Sequence, residues 1–419
     1  MYHVALRQGE TCNEERSSRT IERREDPMQK KYILKEETRK RCTVLPATHA
    51  VSRKLSPISL ELFPLLREAK TIPFALYVRT PDEIVEYIRP TEFALDLLED
   101  LWSVLLRSSA ELEVCVLKKE LALWENTLDT VRKRKVRKLL EQDPTLDPKV
   151  LDIFSDISSV SQLMTRGGLT STTVRRATAA AAYLVAAQLN SEITVGTLSR
   201  MIYHDPTLYD HSASVAIFAA CLAAQHFPHA TAKELSLVAE CGLYHDTGKS
   251  CISHHILNKP GVFTPEEFAI MKTHAIEGHR ELVQAREKGA PISPEAAIVA
   301  LEHHERFRGH GYPHGKKGRL EEDPTDGIHL YARIVSIADT YSALLMKRVY
   351  KDAVPPLEAL KIMKDCADRD FDPVLFSTFC SHLVSTQTLF EAREKARHTG
   401  GRILVVEAHE KISDVLKRR

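Results

Sequence analysis

The chain has no long apolar run. Its two longest, Ala177–Ala187 and Ala213–Ala224, fall short of the roughly 20 residues a helix needs to cross a bilayer. No apolar segment follows Met1 as a secretory leader would require. A soluble, cytoplasmic protein is therefore expected. Net charge is nearly absent too: 58 Lys and Arg against 57 Asp and Glu leave +1 over 419 residues. A dedicated DNA or RNA binder would show a strongly basic domain, so neither nucleic acid is an expected partner. The eight cysteines (Cys12, Cys42, Cys115, Cys221, Cys241, Cys251, Cys366 and Cys380) include no CxxC pair, and several lie in apolar stretches. They read as reduced thiols rather than metal ligands. Gly248-Lys249-Ser250 resembles the end of a phosphate loop, but Leu243 stands where that motif needs glycine and no strand precedes it. A P-loop ATPase is excluded.

What is present suggests two domains with tails. Hydrophobic residues make up 43% of the chain, enough for substantial cores. Residues 1–45 are dense in charge and read as a disordered tail, with a solvated cluster from Lys30 to Arg41. Residues 46–130 read as a small α/β domain, either a regulatory sensor or a packing and dimerisation module. Phe74–Val78 and Glu113–Leu117 have the composition of buried strands, Asp82–Ile88 suits a helix or a strand, and a helix is predicted through Phe93 to Leu105. Residues 131–194 read as a helical linker that opens on Val131–Lys138, the charged face of a connecting helix. Helices dominate 195–385. A C-terminal extension, 386–419, adds a charged helix and the unplaced apolar run Arg402–Val406.

The chemistry is concentrated in the helical segment. His245-Asp246-Thr-Gly-Lys249 is followed by His274, by the adjacent pair His303–His304, and by Asp339 within an apolar run. Imidazole suits iron, manganese, nickel or zinc, and a carboxylate can bridge two ions. Neighbouring helical side chains diverge by about 100°, so His245 and Asp246 cannot form one flat chelate. Asp246 fits better as a bridge, with His245 serving one metal. The pair His303–His304 faces the same problem, so one or both belong near a helix end or loop. The competing reading, separate histidines in a chain of 19, leaves unexplained why each candidate lies on or beside an apolar helical pattern, as bundle-core ligands do.

These stretches resemble the HD-GYP family, a branch of the HD phosphohydrolases. The resemblance is carried by Tyr209-Asp-His211-Ser, Leu243-Tyr-His245-Asp246-Thr-Gly-Lys249, Ile256–Glu267, and Met271-Lys-Thr-His274 with Gly278. It continues through His303-His304-Glu305-Arg, Gly309-His-Gly311-Tyr312-Pro313, Ile337-Ala-Asp339 and Arg348-Val-Tyr-Lys351. It implies an α+β protein overall: the small N-terminal α/β domain followed by an all-α HD-GYP bundle over 195–385. It further implies a phosphodiesterase that opens cyclic di-GMP to pGpG or GMP through a metal-bridging hydroxide. The implied ligands are His211, His245, Asp246, His274, His303, His304 and Asp339, holding two divalent ions, iron or manganese by donor set. Asp246 and Lys249 would be catalytic, and Lys249, Arg308, Tyr312, Arg348 and Lys351 would meet substrate. Tyr312 would either pack the loop or stack on guanine, and Glu305 would orient a ligand histidine or form a surface ion pair. A diguanylate cyclase (GGDEF) domain is the implied partner of the loop Gly309–Gly318, and a homodimer is compatible.

Several positions depart from the family pattern. Thr207 replaces a glutamate that helps hold a third metal, which favours two. Arg308 and His310 replace Asp and Ser, Ser342 replaces Asp, and Ser253 and Val349 replace Pro. These departures leave two alternatives open: a receptor that binds cyclic di-GMP without useful turnover, or a phosphodiesterase for another cyclic dinucleotide such as cyclic GMP-AMP.

Overall fold

The computed structural model describes residues 42–46, 52–58, 62–69, 71–80, 83–90, 95–107, 112–187, 191–204, 210–257, 259, 261–319, 327–346 and 354–399. An antiparallel five-stranded sheet comes first, built from β1 (Thr43–Pro46), β2 (Leu55–Pro57), β3 (Leu76–Arg79), β4 (Glu83–Ile88) and β5 (Glu113–Leu117). Their spatial order is β1-β4-β3-β5-β2. The segment that suited either helix or strand is β4, and its β-branched and aromatic residues Ile84, Val85, Tyr87 and Ile88 are all buried. Period-two alternation gives the sheet two faces. Val78, Val85, Val114 and Val116 join the main core, while Leu55, Tyr77, Ile84 and Cys115 form a smaller cluster. Strand β1 starts inside the last residues of the segment expected as a tail. Thr43, Val44 and Leu45 pair there with Glu86, Val85 and Ile84.

Two helices, α1 (Phe63–Leu66) and α2 (Leu95–Arg107), pack on the main-core face, with Phe63 stacked on Trp102 at 5.5 Å. The chain then leaves the sheet along α3 (Leu121–Gln142), whose Trp124 meets Phe74 edge-on at 5.4 Å. Val131, Val136 and Leu139 face inward on α3 and Lys133 points to solvent, but Arg132 of the same basic run is buried, so the run is not wholly a solvated face. Helix α3 is tied to the bundle through Asp143, which accepts from Arg200 at 2.7 Å.

The bundle follows: α4 (Pro148–Gly167), α5 (Ser171–Ala186), α6 (Ser191–His204), α7 (His211–His226), α8 (Ala232–Tyr244), α9 (His254–Leu257), α10 (Pro265–Lys272), α11 (His274–Glu287), α12 (Pro294–Glu302), α13 (Leu330–Leu345), α14 (Pro356–Asp370) and α15 (Pro373–Thr399). Starts are marked by oxygen caps. Asp147, Thr170, Asp210, Thr231, Thr264 and Ser293 each accept from a backbone N–H in the first turn that follows. Helix α7 is buried without a break from Ala213 to Ala223, and its small side chains let neighbouring helices approach. Among the described residues no helix is long and apolar enough to cross a membrane. The expected charged tail before residue 42 and the run Arg402–Val406 lie outside the described residues.

Candidate metal centre

Six of the seven candidate ligands sit at helix ends. His211 opens α7 behind its Asp210 cap, and His245 closes α8 with Asp246 following it. His274 opens α11, and His303 closes α12 with His304 following it. Asp339 alone comes from a helix middle, in α13. The helix ends resolve the problem of adjacent ligands, because the backbone turns between His245 and Asp246 and between His303 and His304.

These side chains converge. His211 Nε2 lies 3.1 Å from Asp339 Oδ1 and 3.3 Å from His245 Nε2, and His245 Nε2 lies 3.2 Å from Asp246 Oδ2. On the other side His274 Nε2 lies 3.5 Å from Asp246 Oδ1 and 3.4 Å from His303 Nε2. Two groups result, each with donor atoms mutually within 4.8 Å: His211, His245 and Asp339, and Asp246 with His274, His303 and His304. Asp246 faces both groups, one carboxylate oxygen toward each.

The imidazoles are set to offer Nε2. His245 Nδ1 lies 2.7 Å from the Gly242 carbonyl, His274 Nδ1 2.7 Å from that of Met271, and His303 Nδ1 3.0 Å from that of Ala300. A carbonyl only accepts, so each Nδ1 carries the proton and each Nε2 keeps its lone pair. Burial also holds the rings of the second group neutral. It pushes His274 down to about 4 and puts His303 and His304 well below the ordinary histidine range. His211 goes the other way: burial opposes protonation, but the hydrogen-bonded Asp246 and Asp339 outweigh it. Burial alone would raise both carboxyls. His245 and Lys249 instead hold Asp246, and His211 holds Asp339, well below the usual range.

Asp246 Oδ1 is buried and has no hydrogen-bond partner among the described residues. An ionised oxygen in that condition is costly unless a cation meets it. Two clusters of imidazole and carboxylate donors, and one orphaned oxygen between them, are what divalent ions require of a protein. The residues fit that cofactor.

Around this centre the 3-10 turn Thr247–Cys251 carries Lys249, whose ammonium donates to Asp246 Oδ2. Close packing fixes that turn. A Cβ on Gly248 would lie 2.0 Å from the His274 carbonyl oxygen, so only glycine fits. Tyr312 lies against the cluster, its ring 4.7 Å from that of His304. Gly311 lets the loop come so close, since a Cβ there would lie 2.5 Å from the His304 carbonyl. Arg308 is exposed, and its Nε donates to the Asp368 carbonyl at 3.1 Å, near the end of α14. His310 bonds Asp370 of the same helix at 2.8 Å. Buried Ser342 stands 3.4 Å from His211 Nδ1. Arg348, Lys351, Val349 and Thr207 lie outside the described residues.

Two residues gain roles the sequence did not suggest. Among the described residues Glu305 neither bonds a ligand histidine nor forms a surface ion pair. It is buried and accepts from the backbone N–H groups of His314 at 2.7 Å and Lys316 at 2.9 Å. Glu302, one turn earlier, accepts from Lys316 Nζ at 2.5 Å and from His329 N at 2.7 Å. Together they staple the glycine-rich loop to the end of α12. The signal lay in spacing: two acids three apart precede a loop rich in backbone donors.

The comparisons with known proteins agree with this geometry. A family model described as HD domain matches residues 197–375. A protein of Thermotoga maritima named cyclic di-GMP phosphodiesterase is 38% identical over 38% of this chain and 41% of its own length. Another so named, from Pseudomonas aeruginosa, is 33% identical over 51% of this chain and 47% of its own. Residues 197–375 are therefore an HD domain similar to those of proteins named cyclic di-GMP phosphodiesterases. A further relative, the 3′3′-cGAMP-specific phosphodiesterase 2 of Vibrio cholerae, is 31% identical over 41% of this chain and 31% of its own length. The chain thus spans less than half the length of each of these relatives. The HD-domain match covers the ligand-bearing helices and leaves the N-terminal sheet outside it.

Proposed function

We propose that this protein is an HD-GYP-type, metal-dependent phosphodiesterase that opens cyclic di-GMP, giving linear pGpG, GMP or both. The observation that carries this reading is the pair of ligand groups meeting at Asp246, with its buried, unpartnered Oδ1, in a chain whose relatives bear that activity in their names. His211, His245 and Asp339 would hold one divalent ion and His274, His303 and His304 the other, with Asp246 shared and iron or manganese best suited to the donors. Ions bound there supply Lewis acidity and an acidified water, which in-line attack on a phosphodiester needs.

The chain's own residues would do the rest. Buried imidazoles with Nδ1 committed to backbone carbonyls keep each Nε2 aimed at the centre. Lys249 would leave Asp246 Oδ2 to offset charge growing on a phosphoryl oxygen. Arg348 and Lys351 would grip the same diester. Tyr312, held by the loop that Glu302 and Glu305 secure, would give guanine a flat wall. Arg308 would reach a phosphate only by releasing the Asp368 carbonyl. The sheet over residues 46–130 would act as the regulatory domain, the loop Gly309–Gly318 would present itself to a diguanylate cyclase (GGDEF) domain, and the protein would work in the cytoplasm, as a homodimer or alone.

Protein purified without oxygen and loaded with iron or manganese should convert cyclic di-GMP, as followed by chromatography, and Asp246→Ala should abolish the conversion. Loaded protein that leaves the nucleotide intact would establish the receptor reading, which the weak Ser342–His211 contact favours. A faster rate on cyclic GMP-AMP, measured side by side, would instead align the chain with its Vibrio cholerae relative.

A further inference from the structure

A cyclic dinucleotide has two phosphates and two bases, and only one diester can lie over the ligand clusters, so other groups must seat on the rim. One rim carries an arrangement not yet assigned. Lys272 ends α10, two residues before His274. Its Nζ lies over the Phe268 ring at 5.3 Å and over the Tyr312 ring at 6.0 Å. The two rings meet edge to face at 6.4 Å, and Tyr312 in turn borders His304 at 4.7 Å and His274 at 6.4 Å. Among the described residues Lys272 makes no ion pair, whereas Lys249 and Lys316 are bound to Asp246 and Glu302. All three members are half-buried, which leaves them accessible. A cation resting on aromatic faces gives up little when a ligand replaces the ring contact.

We infer that Lys272, backed by Phe268 and Tyr312, forms a nucleobase subsite that selects guanine over adenine; the inference rests on the phosphodiester-hydrolase reading of the adjoining centre. Aromatic faces accept any base by stacking. The ammonium supplies the discrimination, because guanine presents two acceptors, O6 and N7, along one edge, whereas adenine places an amino donor beside N7. A lysine therefore favours guanine and meets adenine's amino group with a like donor. Phe268 and Lys272 lie one helical turn apart on α10, which puts ring and ammonium on one face.

The test compares wild-type, Lys272→Met and Lys272→Arg proteins on cyclic di-GMP, cyclic di-AMP and the base-free diester bis(p-nitrophenyl) phosphate. Lys272→Met should cost about 10–100-fold in kcat/KM on cyclic di-GMP, the worth of one good base contact, expressed mainly through KM. It should leave cyclic di-AMP and the base-free diester unchanged, and Lys272→Arg should restore guanine preference. Phe268→Ala should weaken both dinucleotides alike. Equal losses for Lys272→Met on the two dinucleotides would overturn the inference and make Lys272 a phosphate contact; no loss on either would overturn it as well. If the wild type turns over none of the three, the hydrolytic reading fails by itself. Calorimetric affinities for the two dinucleotides then still report whether Lys272 selects guanine.

Discussion

Gly248 and Gly278 cross with their backbones in contact: a Cβ on Gly248 would stand 2.3 Å from the Gly278 nitrogen as well as 2.0 Å from the His274 carbonyl oxygen. The turn that carries Lys249 is thereby pressed against the helix that begins with His274. Gly248→Ala should force these elements apart, at a cost in the range of about 1–3 kcal/mol for overpacking or more. Thermal unfolding should shift down, and bound metal should fall with it. A variant with unchanged melting temperature and metal content would contradict the packing.

Asp246 bears on both ligand groups, and Asp246→Asn separates its charge from its size. The amide keeps one oxygen but presents a nitrogen donor to the other group, next to imidazoles that also need a cation. Metal per chain should drop to one or fewer. Hydrolysis should fall by about 100-fold or more, the scale of losing one electrostatic stabiliser of the transition state. The circular dichroism spectrum should stay unchanged. Quantifying metal in matched wild-type and variant preparations checks this, and two ions retained in the variant would exclude Asp246 as a shared ligand.

Much of this centre could be read from residue letters, because a metal cluster needs specific side chains and helix ends explain how adjacent ones diverge. His245–Asp246 and His303–His304 both straddle the end of a helix. The carbonyls of Gly242, Met271 and Ala300 that fix the imidazole protons were invisible, since every residue carries a carbonyl and only the fold says which one faces a ring. The order of the sheet was hidden for a related reason. Strand β2 pairs with β5 some sixty residues away, and β1 is only four residues long, too short for a period to register. Arg308 shows the same limit: its charge suggested a substrate contact, while its guanidinium donates to a carbonyl of α14.

The staple under the glycine-rich loop makes a separate prediction. Removing the Glu305 carboxylate leaves the N–H groups of His314 and Lys316 without their acceptor. Loss of a partner costs about 1–3 kcal/mol for a buried donor, and the exposure of His314 puts this case at the low end. Glu305→Ala should therefore unfold only slightly more easily than wild type, yet amide exchange across Gly309–Gly318 should rise markedly. Because Tyr312 rides on this loop, KM for the dinucleotide should rise more than kcat falls. Exchange rates equal to wild type would show that the loop is held by something else.

The stability of the metal-free protein should depend on pH in a direction set by the ligand histidines. Burial lowers His274 to about 4 and places His303 and His304 well below 6.5, while the unfolded chain titrates near that ordinary value. Between these values the unfolded chain binds more protons than the folded one, so stability rises with pH through that window. It is therefore lost progressively as pH falls from about 6.5 toward 4. The depressed carboxyls of Asp246 and Asp339 act in the same sense at lower pH, since protonating them also favours unfolding. His211, whose value is raised, contributes stability that is complete below 6.5 and fades only above it, so it adds no slope between 6.5 and 4. Melting temperatures of chelator-treated protein should decline steadily from pH 7 to pH 4.5. In His274→Gln, His303→Gln and His304→Gln variants the decline should be shallower, whereas His211→Gln should leave the slope below pH 6.5 unchanged. A melting temperature flat across that range would mean that these imidazoles are not buried and neutral in the folded protein.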